Sequence, residues 1–262
     1  MTKEAEHVLA ASLTAKSTEL IQFLPYLLQD LWELGSSPDD IVLLIKKHMS
    51  LTQPAKILDL ACGKGAVSVR VAEKLGAHVH GYDIMPDFIR FASKKAEEFG
   101  VGQLCTFAMG DANEIVVSPD LKEIYDCVIF GAAGNVLGNP AQTLKKLSGL
   151  TKPGGYIIMD ESFLPDDTDS ADVKYGYEML TKSEWLNLFE KSGLRLIEEL
   201  SSGKDYDFER DMKAIETRAA ELSEIHPEKK SLFEGYVASQ QGEVDDLENR
   251  LISVSWILQK DF

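Results

Sequence analysis

The chain has 262 residues, of which 44% are hydrophobic and 27% charged, and its formal net charge at pH 7 is −16. This composition is typical of a globular protein with one sizeable core, and the length leaves little room for a second full domain. Because nucleic-acid binding draws most of its affinity from attraction to phosphates, so acidic a surface argues against a nucleic-acid partner. No apolar run is long enough to predict a membrane span, and the first residues lack the features of a secretory signal, which favours a cytoplasmic protein.

The cysteines and the acidic residues limit the partners further. Three scattered cysteines are too few for a disulfide framework or a metal cluster, so we predict no metal site. Residues 156–250 hold 24 of the 43 Asp and Glu residues but only 11 of the 27 Lys and Arg residues. A solvated acidic surface is the favoured interpretation, and a cavity for a cationic or amine substrate is the alternative.

The N-terminal segment, residues 3–50, predicts helices. Apolar residues recur at helical spacing over residues 17–34, where Pro25 predicts a kink or break. Ser37 is a suitable cap for a second helix, because a proline in the first turn and two aspartates follow it.

From residue 56 the pattern changes to strands that alternate with helices. A capping box at Thr181 to Glu184 opens a later helix, and residues 207–250 are polar and helical. This alternation predicts a parallel sheet covered by helices on both faces. The predicted strands cover residues 56–61, 77–83, 103–109, 125–132, 156–163, 194–200 and 251–260, and the helices between them residues 63–76, 86–99, 139–150 and 181–192.

A glycine-containing turn follows the first strand. The apolar run 57–61 leads into Cys-Gly-Lys-Gly at 62–65, where small residues let a ligand approach the backbone and a helix N-terminus offers free N–H groups. Asp59 before the turn would repel a pyrophosphate and attract an ammonium group. Ser68 stands where a dinucleotide site has its third glycine, and Asp83, 18 residues beyond the turn, is placed to bind ribose hydroxyls. This set suits a sulfonium amino acid joined to adenosine better than it suits NAD.

Together these motifs resemble those of the class I S-adenosylmethionine-dependent methyltransferases, in particular the small-molecule branch that includes ubiquinone/menaquinone-biosynthesis-type enzymes. LDLACGKG is similar to the first motif of that family, GYDIMPDF to the second and MGDANEI to the third. YDCVIFGAAGN and LTKPGGYIIMDE are similar to the fourth strand and to the turn before the fifth, so the resemblance covers about residues 37–200.

The resemblance implies an α/β fold of the Rossmann-like methyltransferase type: a doubly wound, seven-stranded, mostly parallel sheet whose last strand is antiparallel. It also implies S-adenosylmethionine as the cofactor. We expect a single domain over residues 1–262. Its parts are a helical N-terminal cap (1–50), a cofactor-binding core (51–200), a helical lid insert (201–250) and the last strand (251–262).

The resemblance assigns roles to residues of the cofactor site. Asp83 would bind the ribose, Ile84 and Met85 would contact the adenine, Asp111 would accept from the adenine amino group, and the Ala112 N–H would face a ring nitrogen. Taken singly, such aspartates also suit helix capping. The full cofactor-binding set is Asp59, Ala61, Cys62, Gly63, Gly65, Asp83, Ile84, Met85, Gly110, Asp111, Ala112 and Gly131.

The sequence departs from the family pattern at two positions in the glycine turn. Ala61 replaces the commonest first glycine, and Lys64 stands where Thr or Ser is usual. Because a lysine is unexpected beside a cationic ligand, we predict that the Lys64 ammonium points to solvent.

No catalytic motif stands out on the substrate side. A sulfonium is already a good leaving group, so the protein has mainly to align the nucleophile and exclude water. Ligands of open α/β sheets bind beyond the carboxyl ends of the strands, where Asn135 follows the fourth strand and Glu161 ends the fifth. Glu161 is the preferred base or ammonium partner and Asn135 the second candidate, with a solvated strand-end carboxylate as the alternative.

Other candidate side chains favour packing or stay open. His78 and His80 share a strand face at a spacing that metal ligands use, but no third ligand stands near them, so packing is favoured. Tyr175, Tyr177 and Trp185 either line a pocket or fill the core.

The predicted function is methyl transfer from S-adenosylmethionine to the oxygen, nitrogen or carbon of a small molecule, by a monomer or homodimer that contacts no membrane. One alternative is a regulatory module that binds the cofactor without turnover. Another is a protein methyltransferase whose acidic lid receives a basic peptide. A dehydrogenase is disfavoured by Asp59 and Ser68.

Overall fold

The computed structural model describes residues 1–51, 55–167, 179–201 and 206–262. These residues form a seven-stranded sheet with the order β3-β2-β1-β4-β5-β7-β6. Strands β1 to β5 run parallel, and β7 is antiparallel to both β5 and β6, so the predicted fold is confirmed. The bounds are β1 Lys56–Leu60, β2 His78–Asp83, β3 Cys105–Met109, β4 Tyr125–Gly131, β5 Thr151–Phe163, β6 Leu194–Ser201 and β7 Ile252–Lys260.

Helices cover both faces of the sheet because successive strand residues point to opposite faces. Ile57 and Ile129 pack in one apolar cluster with helices α3, α4 and α5, whereas Leu58 and Val128 pack in another with α7 and α8. The helices are α1 Lys3–Ser12, α2 Leu24–Leu27, α3 Pro38–His48, α4 Ala66–Leu75, α5 Pro86–Glu98, α6 Ala112–Ile115, α7 Pro140–Leu150, α8 Lys182–Lys191, α9 Phe208–Ile225 and α10 Lys230–Asn249.

A third apolar cluster joins the N-terminal segment to the helices inserted between β6 and β7. Leu9 of α1 and Leu24 of α2 pack in it with Leu222 of α9 and Tyr236 of α10. The sequence predicts a helical cap and a helical insert but does not reveal that they share one core.

The N-terminal segment is less helical than its periodicity predicts. The break at Pro25 is present: residues 18–20 form a 3₁₀ turn, and Pro25 lies in the first turn of the four-residue α2, where its missing N–H costs no hydrogen bond. The cap of α3 is confirmed, since the Ser37 hydroxyl accepts the Asp40 N–H at 3.3 Å. Among the described helices, none is both long and apolar enough to span a membrane.

Candidate functional site

The sheet reverses its winding between β1 and β4, and a cleft of about 750 Å³ lies beyond the carboxyl ends of these neighbouring strands. Open α/β sheets bind ligands at this switch point. The glycine turn after β1, the end of β2 and the start of α6 line the cleft, together with α1. No lysine, arginine or histidine is among the described residues that line it.

The glycine turn is a sharp backbone reversal in the left-handed region. Ala61, Gly63 and Gly65 have φ of +60°, +52° and +75°. Such angles cost a residue with a Cβ about 1–2 kcal/mol, so Ala61 carries strain that the family's usual glycine avoids. Gly65 has a packing role as well, because a Cβ there would lie 2.6 Å from the Cβ of Ala92 on α5.

Asp83 connects the end of β2 to the glycine turn. Its Oδ2 accepts the Gly63 N–H at 2.8 Å, and its Oδ1 accepts the Met85 N–H at 2.9 Å. The side chain lines the cleft but is only 8% exposed, and this burial raises its pKa while the two N–H donors oppose the rise. Each oxygen keeps a lone pair with which it can accept from a ligand hydroxyl.

Asp59 lies beneath the turn in a recess of about 390 Å³ that it shares with Cys62 and Trp32. The Ser68 hydroxyl donates to its Oδ2 at 2.6 Å, so the serine that replaces the dinucleotide-type glycine holds this carboxylate. Asp59 is 4% exposed, and its burial raises its pKa to about 7. A neighbouring cation would favour the ionised form.

The third motif supplies donors and acceptors at the start of α6. The Asp111 carboxylate caps this helix by accepting the Asn113 N–H at 2.8 Å. Ala112 is the first helical residue, so its N–H has no acceptor within the helix and is available to a ligand in the cleft it lines. The backbone at Gly110 is held to the end of β2 by a 3.0 Å hydrogen bond from its N–H to the Asp83 carbonyl.

Most of the residues predicted to bind the cofactor surround this space. Asp59 and Cys62 line the recess, and Gly65 supports the turn through packing. Met85 does not line either space: its side chain is 3% exposed in the third apolar cluster, and Phe88 lines the cleft instead. The predicted residues that line the cleft are Ala61, Gly63, Asp83, Ile84, Gly110, Asp111, Ala112 and Gly131.

Sequence reasoning missed the part of α1 that lines the cleft. Ala5, Val8, Leu9 and Ser12 recur at the spacing of one helix face. That spacing is visible in the sequence, but it predicts only an apolar face and not what the face covers.

The predicted exposure of Lys64 is wrong. The residue is 3% exposed, and its Nζ donates to the carbonyls of Leu28 at 2.8 Å and Gln29 at 3.2 Å, and also to that of Leu31. Nζ also lies 4.3 Å from the centre of the Phe91 ring. Burial lowers the pKa of Lys64 to about 8. Lys64 therefore ties the glycine turn to the segment after α2.

A larger chamber of about 2,720 Å³ adjoins the cleft at Ser12 and Ala132. It is lined by α1, by α10 and by the ends of β5 and β7. Glu161 lies in its wall, where burial raises the pKa of the carboxyl to about 8.

Asn135 lies beyond the carboxyl end of β4, next to Glu161, but in a separate recess. It lines a recess of about 320 Å³ that it shares with Glu161 and Trp185, outside the cleft and the chamber. Trp185 is 4% exposed and packs against Trp256 with ring centres 5.4 Å apart, so it belongs to the core. Tyr175 and Tyr177 lie outside the described residues.

Of the two histidines on β2, only His80 packs against a neighbour. His80 Nδ1 lies 3.2 Å from the Tyr125 hydroxyl, and His78 is exposed. Over the ranges that the structure describes, no group of three or more potential metal-ligating side chains is present.

The donor set fits a cationic nucleoside ligand. Acidic side chains stand at three points around the space, the Ala112 N–H is free of intrahelical bonding, and the described lining of the cleft has no basic side chain. Lys64, which borders the recess, already donates to backbone carbonyls. These features suit a nucleoside-binding α/β protein whose ligand carries positive charge.

Comparison with known proteins identifies the family. The sequence profile of a methyltransferase domain matches residues 51–193, more than half of the chain, and the chain belongs to that family. The predicted membership of the class I S-adenosylmethionine-dependent methyltransferases is thereby confirmed, and S-adenosylmethionine is the cofactor of that class.

Relatives of this chain are distant. A malonyl-[acyl-carrier protein] O-methyltransferase from Brevibacillus brevis is 26% identical over 54% of this chain and 55% of its own length. The putative methyltransferase YqeM from Bacillus subtilis is 30% identical over 53% and 59%. The chain thus spans less than two thirds of the length of these relatives. An S-adenosylmethionine-dependent methyltransferase from Thiobacillus denitrificans, solved with S-adenosyl-L-homocysteine, has the same fold, with a TM-score of 0.73 and 22% identity over 90% of this chain and 97% of that one.

Proposed function

We propose that this chain transfers the methyl group of S-adenosylmethionine to a small-molecule acceptor held in the chamber. The observation that carries the proposal is the junction of the two spaces: Ser12 and Ala132 line both the cleft and the chamber. A cofactor in the cleft and an acceptor in the chamber would meet there.

The residues around the cleft would each hold one part of the cofactor. Asp83 would accept from the ribose hydroxyls, while Asp111 and the Ala112 N–H would bind the adenine edge. Asp59, in the recess under the turn, would favour the cationic amino-acid end. When bound, the cofactor supplies a methyl group on a positively charged sulfur, and the residues around it position the acceptor and exclude water.

Glu161 is the residue we assign to proton handling. Its carboxyl lies in the chamber wall, and its raised pKa of about 8 lets it gain or release a proton near neutral pH. It would accept the proton of an acceptor that enters protonated. Asn135 has no equivalent position in the chamber wall, so we assign it no such role.

We infer that the N-terminal cap and the inserted helices together form a lid. Their shared apolar cluster lies over the N-terminal end of α5, and α1 and α10 both line the chamber. The helices α1 and α10 border this solvent-open chamber, and a small molecule held between them would be partly shielded from water.

The first experiment is a calorimetric titration of the purified chain with S-adenosylhomocysteine and, separately, with NAD. Binding of the nucleoside alone supports the proposal, and a screen of small-molecule acceptors for S-adenosylhomocysteine release then tests turnover. Binding of NAD alone would contradict the proposal, while binding without turnover on any acceptor would favour a regulatory module.

A further inference from the structure

The chamber wall is rich in acidic side chains. Asp160 and Glu161 at the end of β5 line it, and α10 contributes Glu243, Asp245 and Asp246. The basic residues in the wall are fewer, and they are His7, Lys16 and Arg250.

Some of the charged and polar side chains in the wall already have partners within the protein. Arg250 forms an ion pair with Asp246 at 3.0 Å, and Glu243 accepts a hydrogen bond from Thr14. His7 Nδ1 donates to the Lys3 carbonyl at 2.7 Å. Glu161 on β5 has no basic group among the charges that act on it, so it is the acidic side chain of the wall to which a ligand can contribute most.

Asp160 is buried with no basic neighbour in the described part of the chain. Its side chain is 6% exposed, and Oδ1 accepts from the Ser255 hydroxyl. Its Oδ2 has no partner in ordinary hydrogen-bond geometry among the described residues, but it lies beside Gly131 and Ser36, and the Ser36 hydroxyl and the Ser37 N–H oppose the rise of its pKa. Burial raises the pKa of Asp160 to about 6, and the neighbouring charges that act on Asp160 and Glu161 are themselves acidic.

Ser239 of α10 is a second polar group without a partner. The residue is 6% exposed and lines the chamber, and its Oγ makes no hydrogen bond to any described residue. Buried hydroxyl groups in folded proteins almost always have a partner, so an unpaired one in a cavity wall points to a ligand. This observation does not depend on Glu161.

One side of the chamber is apolar. Met179 and Leu251, both in its wall, pack together with Leu164, and Leu247 adjoins them. The chamber thus combines an apolar patch with the half-buried carboxyl group of Glu161 and an unpaired hydroxyl.

We propose that the chamber binds an amphipathic amine, with its ammonium group at Glu161 and its apolar body against Met179 and Leu251. A buried carboxylate without a cation is costly, and an ammonium group restores the interaction that water supplied before folding. A neutral ligand would leave this cost in place, and an anionic ligand would add to it. The inference rests on the proposed function, because it names the substrate class of the same site.

The test uses three indole probes of similar size that differ in one group. Tryptamine carries an ammonium group, tryptophol a hydroxyl group and indole-3-propionate a carboxylate. Each is titrated calorimetrically into the full chain saturated with S-adenosylhomocysteine. We expect tryptamine to bind roughly tenfold or more tightly than tryptophol, because charge-assisted hydrogen bonds are about twice as strong as neutral ones, and indole-3-propionate to bind most weakly.

Variants test whether the preference depends on Glu161. Glu161→Gln should reduce the advantage of tryptamine over tryptophol, whereas Glu190→Gln, at an exposed position of α8, should preserve it. Ser239→Ala, in the same wall, should reduce the advantage of tryptamine over tryptophol less than Glu161→Gln does. Retained affinity for S-adenosylhomocysteine shows that each variant is folded.

Three results would overturn the inference: no binding of tryptamine, equal affinity for tryptamine and tryptophol, or a preference that survives in Glu161→Gln. The preceding titration with S-adenosylhomocysteine reports on the proposed function alone. If that titration shows no binding, the three probes are titrated into the chain without nucleoside, where they still report the amine preference. A failure of the proposed function is therefore distinguishable from a failure of the amine preference.

Discussion

The Asp83 carboxylate accepts the Gly63 N–H at 2.8 Å, so the end of β2 holds the turn that follows β1. The same carboxylate accepts the Met85 N–H at the start of α5. Asp83 therefore fixes the shape of the cleft and also presents its remaining lone pairs to it. Loss of its charge should affect ligand binding through both routes.

Asp83→Asn tests this double role. The amide oxygen can replace one carboxylate oxygen, but its NH₂ group faces a backbone N–H and repels it. We expect the affinity for S-adenosylhomocysteine to fall by roughly ten- to a hundredfold, since hydrogen bonds to charged groups contribute about 1.5–3 kcal/mol. Calorimetry measures the change. Asp87→Asn, at an exposed position on α5, is the matched control, and equal affinities of the two variants would contradict the assignment.

Gly65 and Gly76 flank α4 with similar left-handed φ angles of +75° and +66°, but only Gly65 has a close neighbour. A Cβ at Gly65 would lie 2.6 Å from the Cβ of Ala92, whereas one at Gly76 would meet nothing within 4 Å. Gly76→Ala should lower the free energy of unfolding by about 1 kcal/mol, from backbone strain alone. Gly65→Ala should lower it by a further 1–3 kcal/mol or so, from overpacking against α5. Urea denaturation of the two variants measures the difference. Equal losses in the free energy of unfolding would mean that α4 and α5 move apart to admit the Cβ without an energetic cost.

Lys64 should control the order of the segment after α2. Lys64→Met removes the donor that three carbonyls of residues 28–31 share, and a buried carbonyl without a partner is destabilising. We expect faster deuterium uptake in residues 24–34 and weaker binding of S-adenosylhomocysteine. Lys74→Met, at an exposed position near the end of α4, should change neither. Unchanged uptake in residues 24–34 of Lys64→Met would show that the ammonium group does not hold that segment.

The fold and the motifs of the cleft follow from local signals in the sequence. The alternation of apolar strands and capped helices predicts the sheet, and ligand-facing residues follow strand ends, as Asp83 and Asp111 do. Ser68, which marks the departure from a dinucleotide site, donates to Asp59 in the structure.

What the sequence does not predict depends on tertiary partners. Lys64 is buried because carbonyls some thirty residues earlier in the chain surround its ammonium group. No periodic pattern in the sequence predicts that these carbonyls accept hydrogen bonds from it. Met85 is next to a ligand-facing aspartate, yet its side chain enters the cluster formed by α1, α9 and α10. That cluster joins segments about two hundred residues apart, and the amphipathic pattern of a helix indicates that a face is buried without indicating its partner.

Asp59 should make stability fall as the pH rises through the neutral range. In an unfolded chain the pKa of an aspartate is about 4, and burial raises that of Asp59 to about 7 in the folded chain. Between these values the folded state binds more protons than the unfolded state, so the free energy of unfolding decreases with increasing pH. Asp59→Asn removes this contribution, and the loss of stability between pH 5 and pH 8 should shrink by up to about 3 kcal/mol.

Ser68→Ala is a second test of the Asp59 titration, because it should change the pH dependence of stability in the opposite direction from Asp59→Asn. The Ser68 hydroxyl favours the ionised form of Asp59 by donating to it at 2.6 Å, and its removal should raise the pKa further. The fall in stability between pH 5 and pH 8 should then be larger than in the natural chain. Urea denaturation at both pH values measures all three proteins, with Asp87→Asn as an exposed control that should match the natural chain. If Asp59→Asn shows the same pH dependence of stability as the natural chain, Asp59 titrates in its ordinary range. The recess under the glycine turn would then be open to water rather than closed around an uncharged carboxyl group.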